Sequence, residues 1–392
     1  MHILFLTTRL PFPPIGGERL RPFYFIKYFC LKHKITLLSF IESKEELLIS
    51  KSYNSESLQI KTVYLPKWKS YFNCLRGLFE EFPLEISYYN SKEMQDLIYE
   101  ELNKKKFDIL FCHLIRMANY VKDIKIKKIL DLCDALSLRY SISSSYRRDI
   151  FKLIEIIESQ RLKRYEQKIV LDFDLNLVAS NSDKQYYENN LGIKNIYVLP
   201  NGVEIEENLN KKGSNSERII FFANFRTYPN QDAIIYFYKK IFPIIKKELK
   251  NIKLIVVGTY IPKYIYSLFK DDACVEVYQN VSDTKPFIQS ANVSVAPMRI
   301  AVGIQNKILQ SMALKVPVVA TSMAKAGIDA SAEKEIILAD EPEDFAYKVI
   351  RLIKDKELNF YIAENAFRLI KERYQWQNIV ADLEDRCLKL IS

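Results

Sequence analysis

The sequence predicts an α/β protein of two serial units, each built on a mainly parallel sheet, and three observations support this prediction. The 392 residues are enough for two domains of ordinary size. Short apolar runs alternate with longer helix-periodic segments along the whole chain, which is typical of βαβ units. A polar stretch rich in Gly, Asn, Ser and Lys near residues 203–217 separates two such series.

The first series opens with a strand, a loop and a helix. "HILFLTT" is a short apolar run, "RLPFPPIGGERLRP" has the composition of a loop, and "FYFIKYFCLKHK" has helical periodicity before the second strand, "ITLLSF". Further strands are predicted at "FDILFCHL", "KKILDLCDA" and "LNLVAS", with a long charged helix at "RRDIFKLIEIIESQRLKRYEQKIV". We assign residues 1–203 to an N-terminal domain.

The second series repeats this alternation. Strand-like runs occur at "RIIFFANF", "IKLIVVG", "VSVAPM" and "PVVAT", and helical segments such as "NQDAIIYFYKKIFPIIKKEL" lie between them. We assign residues 204–370 to a C-terminal domain and residues 371–392 to a closing helix. Parallel α/β sheets bind ligands at the carboxyl ends of their strands, so a cleft between the two domains is the expected site.

Composition narrows the class of protein. The net charge of +10, with its larger excess in the N-terminal half, favours anionic partners such as phosphates, lipid or nucleic acid, and solvated surface lysines are the alternative. No apolar run is long enough to cross a bilayer, and the N-terminus lacks signal-peptide features, so a cytoplasmic protein is expected. Six cysteines without a C-x-x-C pair and three scattered histidines argue against disulfides and a metal site.

Glycine is scarce, with nine in the chain, so its positions are informative. Gly16 and Gly17 follow the first strand and precede a helix, where free backbone N–H groups suit an anion. A tight turn without a ligand is the alternative interpretation. The pair is not part of a G-x-G-x-x-G fingerprint, so a Rossmann dinucleotide site is not supported.

A further glycine, Gly303, opens the helix around "NKILQSMALK". Arg299 precedes this loop and Lys307 lies one helical turn beyond Gly303, so two cations can converge on a doubly charged group such as a diphosphate. Gln310 shares the helix face of Lys307 and is placed to reach hydroxyls beside the phosphate. Two idle surface charges are the alternative. The backbone donors expected at the helix start are those of Gly303, Ile304, Gln305 and Asn306.

The order of these residues resembles the retaining glycosyltransferases of the GT-B fold, family 4 (group 1), and is nearest to the sugar transferases of exopolysaccharide and surface-glycan biosynthesis. The matching signatures cover nearly the whole chain: "LPFPPIGGERLRPFYFIKYFCLKHKITLLSF", "DLCDALS", "VLPNGVE", "YPNQDAI", "LIVVG", "APMRIAVGIQNKILQSMALKVPVVAT" and "KERYQW". The resemblance implies two Rossmann-like α/β domains facing a central cleft, with the C-terminal helix packing back on the N-terminal domain.

The resemblance also implies roles for particular residues. Gly16 and Gly17 would face the donor phosphates, and the Gly303 loop would hold the diphosphate. Gln310 stands where the family has the second glutamate of its E-x7-E motif, which binds the nucleotide ribose, and Val302 stands where it has the first. Both carboxylates are therefore missing, and Gln310 lacks a charge-assisted bond worth about 1 kcal/mol or somewhat more.

A second departure from the family lies after the first strand of the C-terminal domain. Many members carry an arginine and a lysine there, whereas this chain reads "FFANFRTYPNQ" and has Asn224 at the arginine position. We therefore expect Arg299 and Lys307 to neutralise the phosphates, with Arg226 as a helper.

The implied mechanism is sugar transfer with retention, in which the leaving diphosphate accepts the proton of the acceptor. Such transfer needs no metal, no cofactor and no dedicated protein base, only stabilisation of the developing charge and alignment of both substrates. His113 lies where family members line the donor-sugar pocket, and a structural histidine is the alternative. Asp131, Asp134 and Ser137 face the same expected cleft.

The expected partners are a nucleotide sugar and a glycan or lipid-linked acceptor. The segment from Tyr64 to Phe82 mixes basic and aromatic residues, which suits peripheral contact with anionic lipid; a helix packed on the core and a nucleic-acid surface are the alternatives, and no nucleic-acid motif supports the latter. Two rival functions remain: another GT-B class, such as an epimerase or a phosphorylase, and a degenerate binding module without catalysis.

Overall fold

The computed structural model describes residues 1–14, 17–206 and 217–392. Contacts divide the chain into two compact units, Met1–Pro200 with Gln377–Ser392, and Asn201–Trp376. Gly16 and most of the polar segment expected as a linker lie outside the described residues. The closing helix, expected over residues 371–392, is Trp376–Ile391, and all of it except Trp376 groups with the first unit.

The first unit is built on a parallel sheet whose order, within the described residues, is β3-β2-β1-β4-β5-β6-β7. This order changes direction between β1 and β4, as in doubly wound dinucleotide-binding sheets. The strands are apolar almost throughout because helices cover both faces of such a sheet, and five of the six residues of β1 are buried. The seven strands are His2–Thr7, Lys34–Ile41, Leu58–Tyr64, Ile109–His113, Lys127–Cys133, Leu175–Val178 and Ile196–Val198.

The helices of the first unit begin at recognisable caps. Ser43, Ser91 and Ser180 each accept a hydrogen bond from a backbone N–H of the first turn, which satisfies a donor that the helix itself leaves unpaired. The described helices α1 to α8 are Gly17–Phe29, Lys44–Ser52, Lys67–Gly77, Leu84–Tyr88, Lys92–Lys104, Leu136–Tyr146, Phe151–Ile169 and Asn181–Leu191, and short 3₁₀ turns cover Ile115–Tyr120 and Val170–Asp172.

The second unit has a smaller parallel sheet, with the order β10-β9-β8-β11-β12-β13 within the described residues. Its direction changes between β8 and β11, so the loops after these two strands share one edge of the sheet. The strands are Arg218–Asn224, Lys253–Thr259, Val275–Gln279, Val293–Ala296, Val318–Ala320 and Ile337–Leu338. Helices α9 to α16 are Tyr228–Tyr236, Phe242–Glu248, Lys263–Phe269, Lys285–Gln289, Asn306–Ala313, Ser322–Lys325, Pro342–Lys354 and Lys356–Arg373, α17 is Trp376–Ile391, and a π-helical turn covers Phe237–Ile241.

The six cysteines are free thiols, as their spacing predicts. None of the helices in the described parts of the chain combines the length and the apolar character that crossing a bilayer requires.

A buried ion pair fastens α1 to the sheet of the first unit. The Nε of Arg21 donates to both carboxylate oxygens of Asp131, at 3.0 and 2.8 Å, and its Nη1 donates to the carbonyls of Leu199 and Pro200 at 2.8 and 3.0 Å. Both side chains are almost completely buried. The guanidinium holds the pKa of Asp131 well below its usual range despite burial, so the pair is ionised.

We expect Arg21→Met to reduce the free energy of unfolding by about 3–5 kcal/mol, because Asp131 would keep its buried charge without its arginine. Arg19→Met is the matched control on the same helix, since Arg19 forms a partly exposed pair with Glu46 that is worth about 1 kcal/mol or less. Urea unfolding of both variants measures the difference. Equal losses would contradict a special role for the buried pair.

Candidate functional site

The loops after β8 and β11 contain most of the sequence-predicted site residues of the second unit. Asn224 is the last residue of β8 and Arg226 follows it, whereas Arg299 and Gly303 follow β11. The two strands are neighbours at the point where the order of the sheet changes direction, which is where open α/β sheets bind ligands.

The glycine loop before α13 depends on two glycines. Gly303 has φ +63°, a left-handed conformation that side chains with a Cβ rarely adopt. A Cβ at Gly327 would lie 1.9 Å from the carbonyl oxygen of Gly303, so only glycine allows this close approach. The loop therefore has a fixed backbone path into the helix.

The N-terminus of α13 lacks a side-chain cap. Gln305 occupies the N-cap position but accepts no hydrogen bond from the first turn, and its side-chain amide donates to the carbonyl of Val302 at 3.2 Å. Ile304 is buried, and the side chain of Asn306 accepts from Asn201 at 3.0 Å. The amide of Ile308 donates to the carbonyl of Gln305 at 2.8 Å, which leaves the amides of Asn306 and Lys307 for an external acceptor, the arrangement that binds anions at helix starts.

Lys307 is a cation in apolar surroundings. Its Nζ donates to the side-chain oxygen of Asn230 at 2.7 Å, lies 3.5 Å from the sulfur of Met298 and is 4.8 Å from the centroid of the Phe221 ring. Among the described residues it has no carboxylate within salt-bridge distance. Desolvation by these neighbours lowers the pKa of Lys307 to about 7.

Asn230 links Lys307 to the loop after β8. Its amide nitrogen donates to the carbonyl of Asn224 at 2.8 Å and to the hydroxyl of Thr227 at 2.9 Å, while its oxygen accepts from Lys307. The side chain of Asn224 in turn accepts from the backbone N–H of Arg226 at 3.0 Å. This network fixes the loop that carries Arg226.

Arg226 is exposed and lies over the ring of Tyr260, 3.4 Å from its centroid. Tyr260 has φ +56°, which is uncommon for a residue with a side chain. Stacking on an aromatic ring orients a guanidinium without using its N–H groups. In the part of the chain that the structure describes, no carboxylate lies within salt-bridge distance of Arg226.

The sequence predicts that Arg299 neutralises a phosphate, but in the structure its charge is already paired with a carboxylate. Its guanidinium forms a two-point ion pair with Asp232, at 3.0 and 2.5 Å, and lies 4.5 Å from the ring centroid of Tyr236. No local sequence pattern indicates this pairing, because Asp232 lies on α9, 67 residues before Arg299. Of the three cations predicted for this site, Lys307 and Arg226 have no carboxylate within salt-bridge distance among the described residues, whereas Arg299 has one.

Gln310 lies one turn after Lys307 on α13 and is half-buried. Its side chain makes no hydrogen bond to any described residue, so its amide is available to a ligand.

In the first unit, His113 ends β4 and is buried between protein groups. Its Nδ1 lies 2.8 Å from a carboxylate oxygen of Asp131, and its Nε2 lies 3.2 Å from the backbone carbonyl of Glu18. That carbonyl is the one that would accept from residue 22 in a regular helix, but Pro22 has no N–H to donate. His113 therefore supplies the missing donor.

This contact explains how α1, which starts inside the segment that the sequence predicts as a loop, continues through Pro22. The helix includes Pro22, and the histidine compensates for the hydrogen bond that the proline removes. Because both ring nitrogens of His113 face protein atoms, we interpret it as a positioning residue for the start of α1 rather than a direct contact to a donor sugar.

Three potential metal ligands lie together in this region, with ligand atoms of His113, Asp131 and Cys133 within 4.8 Å of one another. The geometry does not fit a metal ion, because the guanidinium of Arg21 already bridges both carboxylate oxygens of Asp131. Burial raises the pKa of the Cys133 thiol well above its ordinary value, which also disfavours the thiolate that a metal requires.

We expect Lys307→Met to raise the melting temperature of the ligand-free protein, because it removes a desolvated charge while keeping side-chain length. Each kcal/mol gained corresponds to roughly 2–4 °C in a unit of this size. Lys240→Met, at an exposed position of the same unit, controls for the loss of one positive charge.

The gain should depend on pH in a defined direction. The pKa of Lys307 is about 7 in the folded protein and 10.5 in its ordinary state, so the folded state binds fewer protons between these values. The advantage of Lys307→Met over the wild type should be full below pH 7 and vanish towards pH 10.5. A pH-independent difference in melting temperature would contradict the desolvation of Lys307.

Comparisons with known proteins concern the sequence family and the fold of the chain. Residues 216–355 match the family model described as glycosyl transferases group 1. A protein of Klebsiella pneumoniae, described as an uncharacterized 44.6 kDa protein in the cps region, is 22% identical over 397 residues, covering 97% of this chain and 98% of that protein.

Solved structures match over nearly the full length. Sucrose-phosphate synthase from Thermosynechococcus elongatus has a TM-score of 0.72 at 12% identity, covering 99% of this chain and 98% of that one. TarM has a TM-score of 0.74 at 12% identity, with 100% and 98% covered. HepE from Anabaena in complex with UDP-glucose has a TM-score of 0.70 at 15% identity, with 99% and 100% covered. The chain therefore has the GT-B fold of glycosyltransferases, and its match to the group 1 model lies wholly within the second unit.

Proposed function

We propose that this protein is a glycosyltransferase that moves a sugar from a nucleotide-diphosphate sugar to a glycan or lipid-linked glycan acceptor. The observation that carries the proposal is the environment of Lys307, a desolvated ammonium without a carboxylate partner in the described chain. Lys307 is the second residue of α13, whose N-terminus has no side-chain cap. An anion at this point would gain both the charge of Lys307 and the first-turn amides.

A diphosphate would use both groups of donors, which a single carboxylate would not. Lys307 and the amides of the Gly303 loop lie at the end of β11, and Arg226 lies after the neighbouring β8, connected to Lys307 through Asn230 and Asn224. Two phosphates provide enough oxygens for both groups of donors. Gln310, one turn further along α13, is placed for the ribose.

The proposed chemistry is transfer with retention and without a metal ion or cofactor. Lys307, Arg226 and the helix amides would stabilise the charge that develops on the leaving diphosphate, and that diphosphate would accept the proton of the acceptor hydroxyl. Arg299 would act indirectly, because its pair with Asp232 holds the loop after β11 against α9. His113 would act indirectly as well, by fixing the start of α1.

The relatives support a donor and a biological setting. HepE was solved with UDP-glucose, and a TarM structure contains UDP, which makes uridine nucleotides the first donors to test here. The Klebsiella relative is described from a cps region, which favours a role in surface polysaccharide biosynthesis. We place the reaction in the cytoplasm at the inner face of the cell membrane, where lipid-linked acceptors are found.

The rival function is a degenerate GT-B module that binds a nucleotide or glycan without turnover. Val302 and Gln310, in place of the two family glutamates, support it. Hydrolysis of a nucleotide sugar in the absence of acceptor would favour the transferase, whereas tight binding without any turnover would favour the module. An epimerase or phosphorylase would need catalytic carboxylates or a cofactor lysine that we do not assign in the site.

The function is tested first by thermal shift against UDP, GDP, ADP, CMP and their sugar conjugates. A nucleotide at 100 times its dissociation constant stabilises the protein by about 2.7 kcal/mol. We expect a shift with one nucleoside diphosphate in the wild type and its loss in Lys307→Met, although that variant is the more stable one without ligand. A wild type that responds to no nucleotide would contradict the proposed donor site.

The affinity for the bound diphosphate should fall as pH rises above 7. Lys307 must take up a proton to pair with the diphosphate once pH exceeds its pKa of about 7. The dissociation constant should therefore increase by up to about tenfold per pH unit between pH 7.5 and 9. Lys307→Arg is the control, since arginine stays charged and should give a pH-independent constant over this range; calorimetric titrations measure both.

Gln310→Glu tests the ribose contact. A carboxylate accepts charge-assisted hydrogen bonds from ribose hydroxyls, so we expect about five- to tenfold tighter nucleotide binding. Gln289→Glu adds the same charge elsewhere in the second unit and should change little. Weaker binding in Gln310→Glu alone would show that the glutamine contacts a different group of the donor.

A further inference from the structure

The α6–α7 hairpin of the first unit ends in an unusual surface. The hairpin tip, residues 146–157, joins the end of α6 to the first two turns of α7. Its large apolar side chains are exposed, with Ile150 at 77%, Leu153 at 69% and Ile157 at 54%. Soluble proteins seldom expose apolar side chains in such a continuous group without a partner. The others in the tip are Tyr146, Phe151, Ile154 and Ile156.

The apolar residues of the tip lie on the solvent side of α7. Further along the helix, Ser159, Leu162 and Glu166 are buried and define the face towards the core. On a helix with 3.6 residues per turn, positions 153, 156 and 157 lie opposite that face, in line with Gln160, Arg164 and Gln167. One solvent-facing stripe thus changes from apolar to polar along a single helix.

The apolar part of the stripe has a defined length. Phe151–Ile157 spans about 10 Å of helix. A hairpin tip that enters the membrane end-on would therefore place these residues within the headgroup and acyl boundary, in which interfacial helices bury to a depth of about 5–10 Å. Apolar side chains cover roughly 220° of this part of the helix, calculated at 100° per residue. A fluid environment surrounds so wide an arc more easily than the flat surface of a protein partner does.

Charge at the tip is arranged for an anionic surface. Asp149 and Glu155 are both paired with Arg147, and Glu158 is paired with Arg161. By contrast, four exposed cations of the hairpin have no carboxylate of the described residues within salt-bridge distance: Arg148, Lys152, Arg164 and Lys168. Arginine and lysine bordering an apolar segment can place their charges at the level of lipid headgroups.

A second apolar group adjoins α7. Arg161 donates to the carbonyls of Gly77 and Leu78 at the end of α3, and the ring of Phe82 lies 6.0 Å from that of Tyr165. Phe79 in this stretch is 93% exposed. The acidic side chains of Glu80 and Glu81 follow directly, so the surface has an acidic border on this side.

We propose that the hairpin tip inserts into the interface of an anionic membrane, with the end of α3 beside it. Two observations carry the proposal: the stripe that turns apolar over about 10 Å of α7, and the cationic charges without carboxylate partners that flank it. Insertion at the tip would hold the first unit at the lipid surface. It does not depend on the proposed sugar transfer and is measured without donor or acceptor.

The test is co-sedimentation of the full-length protein with vesicles of phosphatidylcholine containing phosphatidylglycerol. We expect binding to these vesicles and at least about tenfold weaker binding of the triple variant Leu153→Gln, Ile156→Gln, Ile157→Gln, which continues the polar stripe of Gln160 towards the tip. Leu171→Gln is the matched control, because Leu171 is 79% exposed but lies outside the tip.

Charge is tested separately with Arg148→Gln combined with Lys152→Gln. This variant should bind the anionic vesicles more weakly and should lose less of its binding in high salt than the wild type. The melting temperature of each variant, with and without nucleotide, reports whether the fold and the donor site are unchanged.

Three results would overturn the proposal. The first is a wild type that does not sediment with anionic vesicles, and the second is a triple variant that binds them as well as Leu171→Gln does. The third is a wild type that forms a dimer in analytical ultracentrifugation, becomes monomeric in the triple variant and ignores vesicles, because the tip would then be an interface between two copies of this chain.

Discussion

The buried pair between Arg21 and Asp131 is the interaction on which the first unit depends. It joins α1 to β5, and the same guanidinium binds the carbonyls of Leu199 and Pro200, where the chain leaves this unit. His113 completes the cluster by contacting Asp131 and the carbonyl left unpaired by Pro22. Ionised groups with so little solvent persist only when each has its partners, so this cluster allows little change in any member.

In the second unit, by contrast, the charge of Lys307 is not paired with a carboxylate of the described residues. Lys307 is half-buried, and among the described residues its ammonium lies near an amide oxygen, a sulfur and an aromatic ring. Burying this charge costs free energy on folding, and an anion bound beside Lys307 would recover part of that cost. Arg226 is oriented by stacking on Tyr260, and no carboxylate of the described residues lies within salt-bridge distance of it.

Sequence patterns predicted the two α/β units, most of their strands and the glycine loop, because parallel strands and helix starts leave local signals such as continuous apolar runs and Gly303. Contacts between residues far apart in the chain leave no such local signal in the sequence. The pairing of Arg299 with Asp232, the left-handed backbone of Tyr260 and the contact from His113 to Glu18 all depend on the folded chain. The predicted loop around Pro22 was wrong for the same reason, since the donor that sustains the helix comes from β4.

The contact between Gly303 and Gly327 has a consequence for genetic variation in this protein. Gly327 can lie against the loop because it has no side chain: any Cβ at this position would clash with the carbonyl oxygen of Gly303. Even alanine at position 327 would move the backbone ahead of α13 without replacing any group that meets a ligand. In a screen for loss of function, we therefore expect substitutions of Gly327 to have the same phenotype as substitutions in the loop before α13.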